Sequence, residues 1–548
     1  MLNYDYIFPS KIVYSEGNIL GVDFLLNKKT LQTGLYQTEL TVLKGKCSII
    51  LDFGKELQGG VRIITHILNK QASAVRIRFG ESVSETLAEL GERGACNDHS
   101  PRDFNVNLSS MADNIFGQTG FRFIRIDSLS EDADIQIKCI VSAVDILKTP
   151  YDGSFNSDDK LLNDIFDTAA YTLRLCMQNG YFWDGIKRDR LVWIGDLYPE
   201  MRAAINLFSK VDETYNSLKF AMEETPLPYW VGTIPMYSLW WLIIYVEHYF
   251  TTGNLDAVYE MLPYAKGIVK QVSNLVSNDG TTNFHHNFID WPSHPHSDYD
   301  KNLSKEEVLI KQQDELSGVY YLTKICFNKI KELFLLINED VSLIDDVLNR
   351  LSKNKPTVKA FKQIAGLGVF AGDTSKNVLQ VLKSDASMST FMSYFILSGL
   401  AEFGEHDYAL KSLKDYYGGM LSVGATSFWE DFDLSWLQNA SRIDEMPVKG
   451  KVDIHGDKGK FCYQGFRHSF CHGWSSGVVA YLIETVLGVK PIGVGRKRFT
   501  VKPHLSTLNM VEGTVPTPYG NIYVKHTKKI DGSVDTVVKA PDGVEVLY

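Results

Sequence analysis

The segment SDDKLLNDIFDTAAYTLRLC, Ser157–Cys176, carries the clearest helical pattern of this 548-residue chain. Its apolar positions are Leu161, Leu162, Ile165, Phe166, Ala169 and Leu173. A recurrence every three or four residues places these side chains on one face of a helix. Ser157 and Asp158 are expected to cap that helix, and Gly180 to end the run. The segment therefore predicts that the middle of the chain is helical.

Similar apolar stripes recur as far as Leu487, and with weaker candidates they predict about ten to twelve helices. The clearest lie at 193–208, 212–224, 236–251, 254–276, 305–336, 388–403, 405–417 and 468–487. This number favours paired helices in a closed barrel over a four-helix bundle. No repeat of fixed period supports an α-solenoid.

Strand-like runs dominate both ends of the chain. Runs such as SAVRIRFGES and FRFIRIDSL alternate with Gly, Asn and Asp before residue 150, a pattern typical of an antiparallel sandwich. After Gly488 the chain is again rich in β-branched residues. We therefore expect three domains: an N-terminal β-sandwich (1–150), a helical barrel (151–488) and a small C-terminal β-domain (489–548).

Composition limits the partners of the chain. The formal net charge is −10 and no Lys/Arg-rich run occurs, so the electrostatic signature of a nucleic-acid-binding protein is missing. Aromatic residues make up 12% of the chain. They either fill cores or line concave binding sites, and the sequence leaves both roles open. An uncharged small substrate is expected, with no nucleic-acid partner.

The seven cysteines are scattered without a CxxC pair, which is neither a disulfide framework nor a zinc-site spacing. The stretch MLNYDYIFPSKIVYSEGN lacks a basic segment followed by an apolar one, so no signal peptide is expected. The longest apolar stretch, near Tyr237 to Tyr245, is too short to span a bilayer. A cytoplasmic protein without membrane contact is expected. Homodimerisation through the β-domains is an option that no sequence feature argues for.

The loop YFWDGIKRDRLVWIGDLYPE, Tyr181–Glu200, is dense in functional groups. It sets the carboxylates of Asp184, Asp189 and Asp196 among arginines and tryptophans. Glycoside hydrolysis needs one protonated carboxyl and one ionised carboxylate. Crowded carboxylates raise the pKa of at least one of them, while nearby arginines keep others charged. The alternative is a solvated loop with structural Asp–Arg pairs.

A second loop, GATSFWEDFDLSW, Gly424–Trp436, offers Glu430 beside Trp429. That carboxylate is a candidate general base facing the first loop, although an exposed Glu is common. Further candidates for lining a pocket are Trp230, Tyr237, Trp240, Asp290, Trp291 and His472.

The segment FHHNFIDWPSHPH, Phe284–His296, contains four histidines, but their spacing matches no zinc signature. Its two prolines indicate an irregular loop that lines a cleft. The glycines of GLGVFAG, Gly366–Gly372, lack the spacing of a dinucleotide-binding loop, and no GxSxG or HExxH motif occurs. No metal and no cofactor are therefore expected.

Six motifs in order along the chain resemble those of the α-L-rhamnosidases of glycoside hydrolase family 78. The strongest is DGIKRDRLVWIGD, Asp184–Asp196, which is similar to the active-site loop of that family. GATSFWE, Gly424–Glu430, resembles the loop that carries the catalytic base. The remaining four are LDFGKELQGGVRI (51–63), TGFRFIRI (119–126), HSFCHGWSSG (468–477) and VKPHL…VEGTVPTPYG (501–520).

The resemblance implies a multidomain, mainly helical fold, in which an (α/α)6 barrel is flanked by β-domains and the enzyme inverts the anomeric centre. It implies Asp189 as general acid and Glu430 as general base. The residues that it implies around a terminal rhamnose are Asp184, Arg188, Trp193, Asp196, Tyr237, Trp291 and His472.

The active-site loop departs from the family pattern at one position. Many larger members have a Glu after the Arg-Asp pair, and this loop is one residue shorter, so Asp184 and Asp196 remain rivals of Asp189 for the role of acid. The chain also lacks room for the extra β-domains of larger members, which suggests short oligosaccharides or glycosides as substrates. Two other functions stay open: the same barrel acting on a different terminal sugar, and a carbohydrate-binding relative without turnover.

Overall fold

The computed structural model describes residues 4–296 and 298–548, and its N-terminal part is a β-structure. The strands are β1 (Asp5–Ile7), β2 (Lys11–Leu20), β3 (Thr41–Leu68), β4 (Ala74–Gly80), β5 (Asp103–Asn107), β6 (Asp113–Ser128) and β7 (Asp134–Val144). All pairs are antiparallel in the order β1-β7-β3-β6-β4-β5, and β2 adds to β3. Their apolar side chains form one buried core, which includes Leu51, Ile77 and Phe121.

Strand β3 is 28 residues long because it joins the runs LTVLKGKCSIILDF and GVRIITHIL, which the sequence predicts as separate strands. Its pairing with β6 shifts register between Asp52 and Leu57 and again after Gly59. The backbones approach closely there, since a Cβ on Gly59 would lie 2.0 Å from the carbonyl oxygen of Ala143. Only glycine fits this close approach, and the local irregularity lets one long strand bend. A short helix, α1 (Val83–Leu87), follows β4.

Helices fill the middle of the chain. They are α2 (Lys160–Cys176), α3 (Leu197–Leu207), α4 (Asp212–Glu224), α5 (Pro235–Thr252), α6 (Leu255–Ser273), α7 (Lys305–Leu336), α8 (Ser342–Leu351), α9 (Lys362–Phe370), α10 (Lys376–Leu382), α11 (Ser393–Glu402), α12 (His406–Ser422) and α13 (Val478–Tyr481). Within the described ranges α2 to α13 are twelve helices, in agreement with the predicted number. None of the helices in residues 4–296 and 298–548 combines the length and the apolar character needed to cross a membrane.

Alternate helices pack against one another in a cycle. Helix α3 contacts α5, and each helix of the series α5, α7, α9, α11 and α13 contacts the next. Helix α13 contacts α3 and so closes the cycle. The other helices contact this cycle from neighbouring positions, as α2 contacts α3 and α13, and α6 contacts α5. Large aromatic side chains fill the space between the cycle members, for example Trp240 against Phe395 and Tyr198. One continuous hydrophobic core therefore holds the helices together.

Several predicted helix boundaries are wrong. The cap of α2 is Asp159, whose carboxylate accepts hydrogen bonds from the backbone N–H groups of Leu161 and Leu162, instead of Ser157 or Asp158. Helix α3 begins at Leu197 and α11 at Ser393, each four or five residues later than predicted.

The predicted helix 468–487 is broken. Gly473–Gly477 forms a 3-10 turn, α13 follows, and Leu482–Val486 is a π-helical turn. The hydroxyl of Ser475 donates to the carbonyl oxygen of His472, which supports the tighter turn.

The C-terminal residues form two small sheets. Strands β13 (Met510–Val515), β14 (Ile522–Lys528) and β15 (Val534–Lys539) pair antiparallel, and β8 (Ser154–Ser157), which precedes α2, completes this sheet. The second sheet contains β11 (Val489–Ile492), β12 (Arg498–Val501) and β16 (Glu545–Leu547). A two-stranded hairpin, β9 (Met177–Gln178) and β10 (Tyr181–Phe182), follows α2 and leads into the functional loop.

Candidate active site

The loop between β10 and α3 carries five of the predicted site residues on its own hydrogen-bonded frame. The Asp184 N–H donates to the Leu191 carbonyl oxygen at 3.0 Å, and the Leu191 N–H donates to Asp184 Oδ1 at 2.9 Å. The carbonyl of Asp184 accepts from the Gly473 N–H at 2.7 Å. These bonds fold the intervening residues into a compact turn and fix that turn to the segment that precedes α13.

Glu430 is held against the same segment from the other side. Its N–H donates to the Ser469 carbonyl oxygen at 3.0 Å, and its own carbonyl accepts from Trp474 Nε1 at 2.8 Å. Trp429 next to it is fully buried and stacks on Phe470 at 3.9 Å, so it anchors the loop and does not reach the cavity. The two functional loops, far apart in sequence, therefore meet across residues 468–474.

All nine predicted site residues line one cavity of about 130 Å³. They are Asp184, Arg188, Asp189, Trp193, Asp196, Tyr237, Trp291, Glu430 and His472. This volume is below the roughly 300–1,000 Å³ of sites for drug-sized ligands, which favours a single small ring over a chain. The remaining lining residues are Ile234, His286, Phe288, His294, Cys462 and Trp474.

Arg188 lies between the two predicted catalytic carboxylates. Its Nη2 donates to both carboxylate oxygens of Glu430, and its Nη1 donates to Asp189 Oδ1 at 3.0 Å. The guanidinium is itself fixed, because its Nε donates to the Arg467 carbonyl oxygen at 3.1 Å. A planar guanidinium suits such a double contact, since its donors diverge in one plane.

The cavity separates its acids electrostatically, as the crowding of carboxylates predicted. Burial raises the pKa of Asp184 well above its usual value, and the charges of Asp196 and Asp189 raise it further. Burial also raises the pKa of Asp196, although His472, whose Nε2 lies 3.1 Å from Asp196 Oδ2, acts in the opposite direction. Burial alone would raise the pKa of Glu430. The positive charge of Arg188 is the main opposing effect, and the net result is a pKa lowered to about 2. Glu430 is thus ionised at neutral pH, and the two aspartates beside it have raised pKa values.

Asp189 is the most accessible of the three aspartates in this loop. Its side chain is 19% exposed, whereas Asp184 and Asp196 are each 3% exposed as residues. Trp193 Nε1 donates to Asp189 Oδ2 at 3.3 Å. The buried aspartates therefore lie at the floor of the cavity, and Asp189 lies towards its mouth.

Aromatic rings form the walls. Trp193 meets Tyr237 edge to face at 5.8 Å between ring centroids. Trp291 meets Phe288 in the same way at 5.0 Å, and it stacks on Phe461 at 5.7 Å. Rings fixed in this way offer flat apolar surfaces for the C–H groups of a sugar ring.

Three residues that the sequence suggested as pocket candidates lie elsewhere. Trp240 is buried in the helical core, and Trp230 packs against Phe284. Asp290 is buried and accepts a hydrogen bond from the Ser389 hydroxyl, so it supports the loop that carries Trp291. Residue type alone was a poor guide to Trp240, because a Trp on a helix of a large core is more often packed than exposed.

Sequence reasoning missed three lining residues: Ile234, Cys462 and Trp474. Trp474 lies in the HSFCHGWSSG motif, two positions after His472, and that neighbourhood was the one clue to it. His286, Phe288 and His294 belong to the segment 284–296 that was expected to line a cleft. His294 contacts the carboxylate of Glu315, so its ring is fixed at the cavity edge.

A second buried cluster lies where the N-terminal strands meet the helices, and we call it the interface cluster: Glu81, Glu85 and His455. One potential ligand atom of each side chain lies within 4.8 Å of the other two, close enough to share a metal ion, but the ammonium group of Lys187 contacts both glutamates. Its Nζ lies 2.9 Å from Glu81 Oε2 and 3.4 Å from Glu85 Oε1. An ammonium group thus supplies the positive charge that a metal ion would otherwise bring.

Two segments of the chain match known domain families. Residues 150–320 match the bacterial α-L-rhamnosidase six-hairpin glycosidase domain, and residues 488–547 match the bacterial α-L-rhamnosidase C-terminal domain. An α-L-rhamnosidase of Alteromonas sp. (strain LOR) is 24% identical over 92% of this chain. The chain is thus similar to bacterial α-L-rhamnosidases. The resemblance seen in the sequence motifs is thereby confirmed.

Solved structures of rhamnosidases share the fold. The family 78 rhamnosidase of Bacillus sp. GL1 has a TM-score of 0.73 at 20% identity and aligns over 96% of this chain. A rhamnosidase from Klebsiella oxytoca, solved with rhamnose bound, has a TM-score of 0.63 at 18% identity, with 88% of this chain and 95% of that chain aligned. This chain spans 56% of the length of the Alteromonas relative and 55% of the Bacillus chain.

Proposed function

We propose that this protein hydrolyses terminal α-L-rhamnosides with inversion at the anomeric carbon. The observation that carries the proposal is the single cavity in which an ionised Glu430 and the more accessible Asp189 face the same small space. The kinship with rhamnosidases supports rhamnose as the sugar. The alternatives of another terminal sugar and of a non-catalytic relative gain no support from any feature of the cavity.

In this mechanism Glu430 is the general base. Its carboxylate removes a proton from a water molecule as that water attacks the anomeric carbon, and positive charge develops on the sugar at the same time. Arg188 keeps the carboxylate ionised before the reaction. The contacts of Glu430 with the segment 468–474 fix its direction, so little reorganisation is needed during the reaction.

Asp189 is the general acid in this proposal. A leaving group must depart through the mouth of the cavity, and Asp189 is the loop aspartate nearest to solvent. Asp184 and Asp196 have the raised pKa values expected of an acid, but their burial at the floor suits hydrogen bonds to the sugar hydroxyls. They stay the named rivals, because a protonated carboxyl can both donate a proton and bind a hydroxyl.

We also propose the architecture that surrounds this site. The cyclic contacts from α3 to α13 support an (α/α)6 barrel, with α3, α5, α7, α9, α11 and α13 as its inner helices. The N-terminal strands are proposed to form a sandwich, and the domain limits 1–150, 151–488 and 489–548 follow the changes from strand to helix and back. The small β8 strand, before α2, ties the barrel to the C-terminal sheet.

A panel of p-nitrophenyl glycosides tests the proposal. The wild-type protein is expected to release p-nitrophenol from the α-L-rhamnoside much faster than from the α-L-fucoside, α-D-mannoside or β-D-glucoside. Glu430→Gln keeps the size of the side chain but cannot act as a base, so its turnover should fall by about 10²–10⁴-fold. Rapid cleavage of another glycoside and none of the rhamnoside would refute the choice of sugar.

A further inference from the structure

A loop of the N-terminal β-structure contacts the proposed acid. The backbone N–H of Asp189 donates to Nδ1 of His99 at 2.6 Å. The same Nδ1 lies 3.0 Å from Asp189 Oδ1. Because Nδ1 accepts the backbone hydrogen bond, it carries no proton in this arrangement. His99 therefore touches both the main chain and the carboxylate of the residue that is proposed to protonate the leaving group.

The turn that His99 contacts is strained. Asp189 has φ 57° and Arg190 has φ 59°, so two successive residues with side chains lie in the left-handed region. Such a conformation costs free energy and persists where surrounding contacts fix it. Strain of this kind concentrates at functional sites, where it serves to direct a side chain. This turn sets the direction of the Asp189 carboxylate. His99 is hydrogen-bonded to the backbone of Asp189, which is the first of the two residues in the left-handed region.

Three more hydrogen bonds connect the N-terminal β-structure to the same loop. Ser100 Oγ donates to the Lys187 carbonyl oxygen at 2.9 Å, and the Gly120 N–H donates to the Ile186 carbonyl oxygen at 2.9 Å. Arg190 Nη1 donates to the Gln118 carbonyl oxygen at 3.1 Å.

Gly120 has no room for a side chain, because a Cβ there would lie 2.6 Å from Ile186 Cγ1. The N-terminal strands thus hold the loop on one side, while the segment 468–474 holds it on the other.

We propose that His99 is a positioning residue for general acid catalysis, through which the N-terminal β-structure holds Asp189 in its reactive direction. The proposal rests on the proposed function, since it assumes that Asp189 protonates the leaving oxygen. His99 acts through Asp189 and does not itself touch the sugar in this account. Its loss would let the turn relax and move the carboxyl away from the leaving oxygen, while Glu430 and the floor of the cavity keep their contacts.

Leaving groups of different basicity distinguish this role from a general structural one. Phenyl α-L-rhamnoside needs a proton on its leaving oxygen, whereas 2,4-dinitrophenyl α-L-rhamnoside departs with little assistance. His99→Leu is expected to lower kcat for the phenyl glycoside about ten-fold, which is less than the roughly 10²–10⁴-fold contribution of acid catalysis itself, and kcat for the dinitrophenyl glycoside less than about two-fold. A defect in folding or in sugar binding would affect both substrates equally.

A matched variant and a double-mutant cycle complete the test. His99→Asn retains an acceptor near the position of Nδ1 and should keep kcat for the phenyl glycoside within about three-fold of wild type. In an Asp189→Asn background, His99→Leu should cause no further loss, because the group that it positions is gone. His99→Ala serves as a second deletion, and thermal unfolding identifies any variant that does not fold.

The outcomes separate the two proposals. Wild-type protein that cleaves neither rhamnoside overturns the proposed function, and the role of His99 falls with it. If the wild type is active, any one of three results overturns the positioning role alone. These results are equal losses on both substrates, no loss in His99→Leu and His99→Ala, and additive losses in the double-mutant cycle. A loss confined to the phenyl glycoside and rescued by His99→Asn supports it.

Discussion

Removal of the Arg188 guanidinium should shift the pH dependence of catalysis. The fall of the Glu430 pKa from 4.5 to about 2 corresponds to about 3 kcal/mol in favour of the ionised carboxylate. Burial acts in the opposite direction, so without Arg188 the buried Glu430 should have a pKa above its ordinary value. Arg188→Leu is therefore expected to move the ionisation of Glu430 upward by more than about two pH units.

The consequence appears in kcat/KM, which reports ionisations of the free enzyme. At pH 4.5 the Glu430 of the wild type is ionised in more than about 99% of molecules, whereas less than about half should be ionised in Arg188→Leu. The base is active only when it is ionised, so activity that depends on Glu430 is lost as the pH falls through its pKa. Below that pKa, the kcat/KM of the variant should fall about ten-fold for each pH unit.

The assay is the hydrolysis of p-nitrophenyl α-L-rhamnoside between pH 3.5 and 8, with each sample returned to pH 7 afterwards to check for unfolding. Arg188→Lys keeps a cation beside Glu430 and should show a smaller shift than Arg188→Leu. The absolute rate of both variants will fall, since the guanidinium also lines the cavity, but only the shape of the profile matters. If the profiles of wild type and Arg188→Leu superimpose after scaling, Arg188 does not set the ionisation of Glu430.

Three further predictions concern the surroundings of the cavity. Gly473→Ala places a Cβ 1.6 Å from Glu200 Oε1 and should lower the unfolding temperature by several degrees. The control is Gly418→Ala, whose Cβ would lie 3.1 Å from Leu161 Cδ2 and which should change the unfolding temperature little. Trp291→Ala removes an apolar wall and should raise KM about ten-fold with a smaller change in kcat, measured by initial rates. A chelator should leave the initial rate unchanged, because Lys187 fills the interface cluster; a loss that zinc or calcium restores would contradict this.

The sequence allowed prediction of the parts of the site that follow from local motifs. The loop 184–196 brings its own carboxylates together because it is short, and the resemblance to a family linked it to Glu430, more than 230 positions away. Periodicity predicted the long helix α2, since it has one continuous apolar face.

Other features depended on tertiary contacts that no local pattern encodes. The helix α9 is buried on nearly all sides, so it has no polar face and no stripe, and the seven-residue α10 is too short to show one. His99 lies 90 positions before Asp189, in a region whose pattern indicates strands, and only the packing of the two regions makes it a neighbour of the site. Trp429, the neighbour of Glu430 in sequence, packs on Phe470 in the core.

The central claim is inversion at the anomeric carbon by Glu430 and Asp189, and proton NMR of the reaction tests it most directly. Wild-type protein is mixed with p-nitrophenyl α-L-rhamnoside, and the anomeric signals are followed before mutarotation, in parallel with Glu430→Gln and Asp189→Asn. We expect β-rhamnose to appear first with wild type, and both variants to lose most of this activity. First appearance of α-rhamnose, or unchanged turnover in Glu430→Gln, would contradict the account.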